Sequence, residues 1–207
     1  MNIVKFRALD APVIGYLHDD HDRLVTHKTR PAILICAGGC YRWLSPREKD
    51  PVALFFSAMG YQSFLIEYSV MERAGELRPL RELAEAVHIL RERAEEWHIQ
   101  PEHVAVLGFS AGGHLAASLG TLWQRQELGL PASARPDALV LCYPVISTGP
   151  FAHPESVAHV TGGDPALMEL LSLENQVSGD MPPCFLCRAV FPALHQHGRR
   201  RGAGDHQ

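Results

Sequence analysis

Residues 104–115 read Val-Ala-Val-Leu-Gly-Phe-Ser-Ala-Gly-Gly-His-Leu: an apolar run, then Gly-x-Ser-x-Gly, then a small-residue helical pattern. The pentapeptide alone is common. Its context gives it meaning, because a buried strand that reverses sharply into a helix leaves the serine hydroxyl standing at the turn, as in a nucleophile elbow. Ser110 is therefore the candidate nucleophile. Gly108 and Gly112 flank it because a Cβ at either position would meet neighbouring backbone or side chains.

Strand and helix patterns alternate outward from this point. Residues 2–8 and 12–18 read as short edge strands, and Asp19–Arg30 as a polar turn. Pro31–Cys36 (PAILIC) is a continuous apolar run, which suits a strand buried on both faces. Pro51–Met59 has helical spacing and stops at Gly60. Tyr61–Tyr68 reads as a strand. Pro79–Trp97 is the clearest helix, with Leu80, Leu83, Ala84, Val87, Leu90, Ala94 and Trp97 at three- and four-residue steps. Glu102–Leu107 predicts a strand, Ala111–Trp123 a helix and Asp137–Tyr143 another strand. Residues 147–181 break the pattern with Gly, Pro and His and hold one helix, Pro165–Gln176. Pro182–Leu186 begins a last strand. Short apolar strands alternating with amphipathic helices imply an α/β fold, a mostly parallel, doubly wound sheet with helices on both faces. Residues 147–181 are then an excursion over the carboxyl ends of the strands.

The 207 residues suffice for one domain with a full core. A net charge of −4 argues against a general nucleic-acid binder. Residues 1–10 lack the apolar core of a signal peptide, and no run of about 18 apolar residues predicts a membrane span. Cys36, Cys40, Cys142, Cys184 and Cys187 make an odd set in a chain that is not small. Buried free thiols in a reducing cytoplasm are the expectation, with no cofactor.

A second chemical feature is Cys36-Ala37-Gly38-Gly39-Cys40-Tyr41-Arg42-Trp43, directly after the buried strand. A glycine-rich turn there can aim backbone N–H groups at the nucleophile, where acyl transfer develops negative charge on a carbonyl oxygen. The same segment also reads as a plain strand-to-loop turn. The pairing with the elbow favours the functional reading.

With AGGCYRW, the helix PLRELAEAVHILRERAEEW, the elbow GFSAGGHLAASLG and the strand ALVLCYPV, residues 30–186 resemble the α/β-hydrolase superfamily. They are most similar to short-chain esterases of the acetylxylan esterase and hormone-sensitive-lipase-like group. The resemblance implies hydrolysis of short acyl esters, acetylated sugars among them, with the oxyanion held by the amides of Gly39, Cys40 and Ala111. That group's arm reads His-Gly-Gly-Gly or Pro-Gly-Gly-Gly; here Ala37 and Cys40 take its first and last positions. A cysteine at the third glycine is comfortable only with φ below zero. His114, four residues along the helix from Ser110, points into the packing below the elbow and is read as a hydrogen-bonded helix residue, not the base.

The resemblance stops near residue 187. The group continues with Trp-His-Thr-x-x-Asp-Asp and a later histidine loop. Here Arg188 onward turns to Arg, Gly, Ala and His. His195, His197, Asp205 and His206 have the right chemistry for a base and acid but lie on a tail without apolar anchors, which reads as disordered. The expectation is a domain over 1–186, a fold truncated at its C-terminal end, a non-family tail over 187–207 from a reading-frame shift near Leu186, and impaired turnover. Cys184-x-x-Cys187 with His195-x-His197 offers a zinc alternative, but the histidine spacing is short and the cysteines fall in a strand. Two other functions stay open: a catalytically dead binding or scaffold protein of the same fold, and a serine peptidase or acyltransferase.

Overall fold

The computed structural model describes residues 1–18 and 29–187. Strands β1 (Asn2–Ala8) and β2 (Ala11–Leu17) form an antiparallel hairpin. After them come β3 (Arg30–Cys36), α1 (Asp50–Ala58), β4 (Gln62–Ile66), α2 (Arg78–Glu92), β5 (Ile99–Phe109), α3 (Ala111–Leu122) and β6 (Ala138–Cys142). Helices α4 (Pro154–Thr161) and α5 (Pro165–Leu170) precede β7 (Cys184–Cys187). One sheet carries them in the order β1-β2-β4-β3-β5-β6-β7. β2 pairs antiparallel with β4, and the strands from β4 across to β7 are parallel.

The apolar runs explain the layers. Along β3, Ala32, Leu34 and Cys36 face one way, packing with Phe64, Ile66, Val104 and Val106 beneath α2 and α3. Ile33 and Ile35 face the other way, joining Leu65, Leu107 and Ala53 of α1. Side chains alternate across a strand, so a strand covered on both faces must be apolar throughout. The strand order also fixes where a site can form. From β3 the chain crosses to β4 on one side; from β5 it crosses to β6 on the other. That reversal opens a crevice at the carboxyl ends of β3 and β5, the place where doubly wound sheets bind ligands.

Several boundaries differ from the sequence reading. α2 ends at Glu92, not Trp97, because the chain must turn into β5 through His98, whose φ is 51°. Trp97 is still buried, beside Phe6 and Phe64. α5 ends at Leu170, and a separate 3₁₀ turn covers Leu173–Asn175. α4 was not anticipated, although Pro154 in its first turn and Gly162 just past its end are start and stop signals. β7 runs one residue beyond the expected boundary, and Cys187 pairs with Cys142. The turn at residues 19–28 and the tail from Arg188 lie outside the described residues. Among the described residues no helix is long and apolar enough to cross a membrane.

His114 of α3 is 2% exposed. Its Nε2 lies 3.0 Å from the Leu171 carbonyl, which can only accept. Nε2 therefore carries the proton, and Nδ1 accepts from the Tyr41 hydroxyl at 2.9 Å. Burial holds this imidazole below its ordinary value of 6.5, against the opposing pull of the Leu171 carbonyl and Glu174. The fold thus favours the neutral ring, so its contribution is complete above pH 6.5 and is lost as the pH falls below it. Urea melts between pH 8 and pH 5 should show a stability slope below about pH 6.5 of up to about 1.4 kcal/mol per pH unit. A His114→Gln variant should lose that part of the slope.

Candidate active site

Ser110 links β5 directly to α3 with φ 49° and ψ −114°, outside the regions an L-residue prefers. Backbone bonds hold it there. Its N–H donates to the Cys142 carbonyl at 3.0 Å. Its carbonyl accepts from His114 N–H at 3.0 Å and Val145 N–H at 3.1 Å. The glycines around it are steric necessities. A Cβ on Gly108 would lie 2.1 Å from the Gly112 carbonyl oxygen, and one on Gly112 would lie 2.2 Å from the Cys36 oxygen and 2.5 Å from the Ala37 oxygen. Both obstacles are backbone, so nothing can swing aside.

The segment after β3 crosses this elbow. A Cβ on Gly38 would stand 3.1 Å from the Ser110 Cβ and 2.8 Å from the Phe109 carbonyl oxygen. In a trans peptide the C=O and the next N–H point in opposite directions, so fixing a carbonyl aims the following amide. Ser45 N–H donates to the Gly38 carbonyl at 2.9 Å, which sets the Gly39 amide. Arg42 and Trp43 N–H groups donate to the Gly39 carbonyl at 2.9 and 3.1 Å, which sets the Cys40 amide. The amides of Gly39, Cys40 and Ala111 meet no acceptor among the described residues. Such unspent donors beside a serine are what an oxyanion hole needs.

The arm turns with Gly39 at φ 134°, Cys40 at 58° and Tyr41 at 56°. Cys40 therefore does not have the negative φ that a cysteine would find comfortable, and two successive left-handed residues cost roughly 1–2 kcal/mol each. Tertiary contacts hold them. Tyr41 is buried and bonded to His114, its carbonyl accepts from Met71 N–H at 2.7 Å, and Tyr68 donates its hydroxyl to the Ala37 carbonyl. Helix α4 covers the arm: Glu155 pairs with Arg42 at 3.2 Å, and Glu155 and Ser156 adjoin the Cys40 thiol. Burial and the Glu155 charge push that thiol upward, so it stays protonated near neutrality.

Glu48 and Tyr143, which the sequence reading passed over, complete the neighbourhood. Gly38 N–H donates to Glu48 Oε2 at 2.7 Å, and the Tyr143 hydroxyl donates to Glu48 Oε1 at 2.8 Å. Glu48 sits in no motif, and Tyr143, although it ends the predicted strand within ALVLCYPV, carries no local sign of a polar role, because its partner lies 95 residues away. Both ring nitrogens of His114 are taken in the core, and among the described residues no side chain bonds the Ser110 hydroxyl. His195, His197, Asp205 and His206 lie outside the described residues.

The expectation of buried thiols needs correction: none of the five cysteines is in a disulfide, but only Cys36 is buried. Cys184 and Cys187 are exposed on β7, which has one neighbour, β6, among the described strands. Three residues apart, they face opposite sides of the strand, which disfavours a shared metal.

Gly112→Ala tests the packing of arm on elbow. Its backbone clash should destabilise the fold by about 3 kcal/mol or more in a denaturant melt, whereas Gly75→Ala, with open space around its Cβ and an ordinary φ of −67°, should be far milder.

The BD-FAE family matches residues 21–137. Over 183 residues the chain is 32% identical to an endo-1,4-beta-xylanase B of Butyrivibrio fibrisolvens, covering 84% of this chain and 28% of that protein. It is 30% identical over 158 residues to an acetylxylan esterase of Xylanibacter ruminicola, covering 73% and 31%. The chain thus spans under a third of these curated relatives. Among solved structures it superposes on an acetyl ester-xyloside bifunctional hydrolase of Caldicellulosiruptor lactoaceticus with a TM-score of 0.75 at 34% identity, over 85% of this chain and 65% of that one. A carboxylesterase of Lactobacillus plantarum, at 22% identity and a TM-score of 0.76, shares the fold. With its reversed strand order, its serine at the β5–α3 turn and these relatives, the chain belongs to the BD-FAE family of α/β-hydrolase esterases, in the acetylxylan esterase-like group.

Proposed function

We propose that this chain is built as a serine carboxylic-ester hydrolase for short acyl esters, acetylated sugars included. The observation that carries the reading is the position of the arm, whose Gly39 and Cys40 peptide planes are pinned from behind beside a left-handed Ser110. In the proposed reaction the Ser110 oxygen attacks the ester carbonyl carbon. The carbonyl oxygen takes up the electron pair and is held by the Gly39, Cys40 and Ala111 amides. Collapse expels the alcohol with a proton and leaves an acyl-serine, which water then hydrolyses. Losing one such donor costs roughly 3–4 kcal/mol of transition-state stabilisation. The acetylxylan esterase relative supports acetylated carbohydrate as substrate, and free thiols fit a reducing compartment.

Both steps also need a base that takes and returns a proton. His114 is engaged in the core, and Arg188 stands where the acid is expected after β7. The proposal therefore includes slow acylation and little turnover. A second reading, a binding protein of the same fold without catalysis, is favoured by one observation: the Ser110 hydroxyl has no side-chain partner among the described residues.

A fluorophosphonate probe should label the purified chain slowly, at Ser110 by peptide mapping, and Ser110→Ala should abolish the label. Absence of label after prolonged incubation would favour the binding protein. Hydrolysis of p-nitrophenyl acetate should stay near the buffer rate. Robust hydrolysis that disappears in Ser110→Ala would overturn the impairment, and His195→Ala, His197→Ala and His206→Ala would then identify the base.

A further inference from the structure

Glu48 ends a 3₁₀ turn, Pro46–Glu48, that folds back beneath the arm. Its N–H donates to the Ser45 carbonyl at 3.1 Å, while Ser45 N–H donates to the Gly38 carbonyl at 2.9 Å. The backbone of this one loop thus holds the peptide plane between Gly38 and Gly39. The Glu48 carboxylate holds the plane before it, through the Gly38 N–H at 2.7 Å. Its second oxygen accepts from Tyr143, just past β6. Burial and the Glu48 charge push the Tyr143 phenol upward, so it keeps its proton and donates. The segment carrying Tyr143 also contacts the nucleophile, because Val145 N–H donates to the Ser110 carbonyl at 3.1 Å.

One carboxylate therefore joins the arm to the loop that holds Ser110 from the opposite side of the crevice. The Gly38 end of this bridge is half-buried and the Tyr143 end exposed, and three features set it apart. Each oxygen has its own donor, one from the arm and one from the β6 exit. Bonds to an ionised acceptor are roughly twice as strong as neutral ones. A Cβ on Gly38 would lie 2.9 Å from Glu48 Oε2, so only glycine lets the carboxylate close on the arm. The adjacent Lys49 is paired with Glu67, and the Arg47 charge acts at Tyr143, against the upward push of Glu48.

We infer that Glu48 is a positioning residue for ester hydrolysis, its carboxylate locking the oxyanion arm in register with Ser110 by bridging the Gly38 amide and the Tyr143 hydroxyl. The inference rests on the proposed role of Ser110, and it acts through Gly38 without touching the substrate. Misplacing a donor by about an ångström can cost a hundredfold in rate. Once Glu48 is removed, the plane before Gly38 loses its side-chain acceptor, and the plane after it keeps only its backbone bond.

Two readouts test this on the full chain. The first is the rate of Ser110 phosphonylation by a fluorophosphonate probe, followed by intact mass. The second is the set of backbone amide resonances of Gly38, Gly39 and Cys40. Glu48→Ala should slow labelling by about ten- to a hundredfold and move all three resonances. Glu48→Gln, which keeps an acceptor for Gly38, should recover part of the rate. Tyr143→Phe should have the smallest effect, because the Gly38 bond survives. A folded Glu48→Ala protein that labels within twofold of wild type, or whose three amides do not move, overturns the inference. Should Glu48→Ala fail to fold, Glu48→Met, which keeps the length of the side chain but offers Gly38 no oxygen acceptor, is read by the same two criteria. Wild type that labels no more than Ser110→Ala overturns the nucleophile reading instead. The amide shifts then still decide whether Glu48 holds the arm.

Discussion

The structure turns on a backbone-to-backbone contact between the end of β3 and the first turn of α3. The Cys36 and Ala37 carbonyl oxygens sit where a Cβ of Gly112 would be, and the Gly112 carbonyl sits where a Cβ of Gly108 would be. That closeness lets the chain leaving β3 pass over the serine instead of around it. The neighbouring strands β3 and β5 bring the two ends together, and the reversal of winding between them leaves the space above open. The three glycines at 38, 108 and 112 are the sequence's answer to one geometric demand: two peptide backbones must touch where side chains would keep them apart.

Holding a strained arm in that space takes polar groups in places a core would otherwise keep apolar. Tyr68 meets the Ala37 carbonyl, and Tyr41 meets His114, which meets the Leu171 carbonyl. A chain of bonds thus runs from the arm through α3 to Leu171, between α5 and β7. Each buried polar atom in it has a partner, which matters because an unpaired one costs about 1–3 kcal/mol. The two left-handed residues Cys40 and Tyr41 are tolerated within this frame. Strain of this kind persists only where the surroundings over-determine the backbone.

Much of the architecture was legible from the sequence. The runs PAILIC, SFLI, VAVLG and ALVLC alternate with amphipathic helices, and burial on both faces leaves no other reading of such strands. The sharp turn at Ser110 was legible because a strand-to-helix elbow is a local event: strand, glycine, serine, glycine and helix occupy consecutive positions. α4 was hidden because its eight residues bury only two apolar anchors of any size, Val157 and Val160, too few to establish a period. The early end of α2 was also hidden, because a left-handed His98 turns the chain into β5 while Trp97 stays in the core and keeps the apolar pattern running.

The sequence by itself determined the sheet, its winding and the residue at the turn, because each depends on periodicity or on spacing within a few residues. Only the tertiary structure decided the conformation of the arm, the positive φ of Cys40, the tautomer of His114 and the place of Glu48 and Tyr143. Each of these is set by groups far apart in the chain. Glu48 meets Gly38 ten residues away and Tyr143 ninety-five away, and Tyr41 meets His114 at a separation of seventy-three. A hydrogen bond has no sequence signature of its own at such separations. It comes into being when packing brings donor and acceptor within about 3 Å of each other.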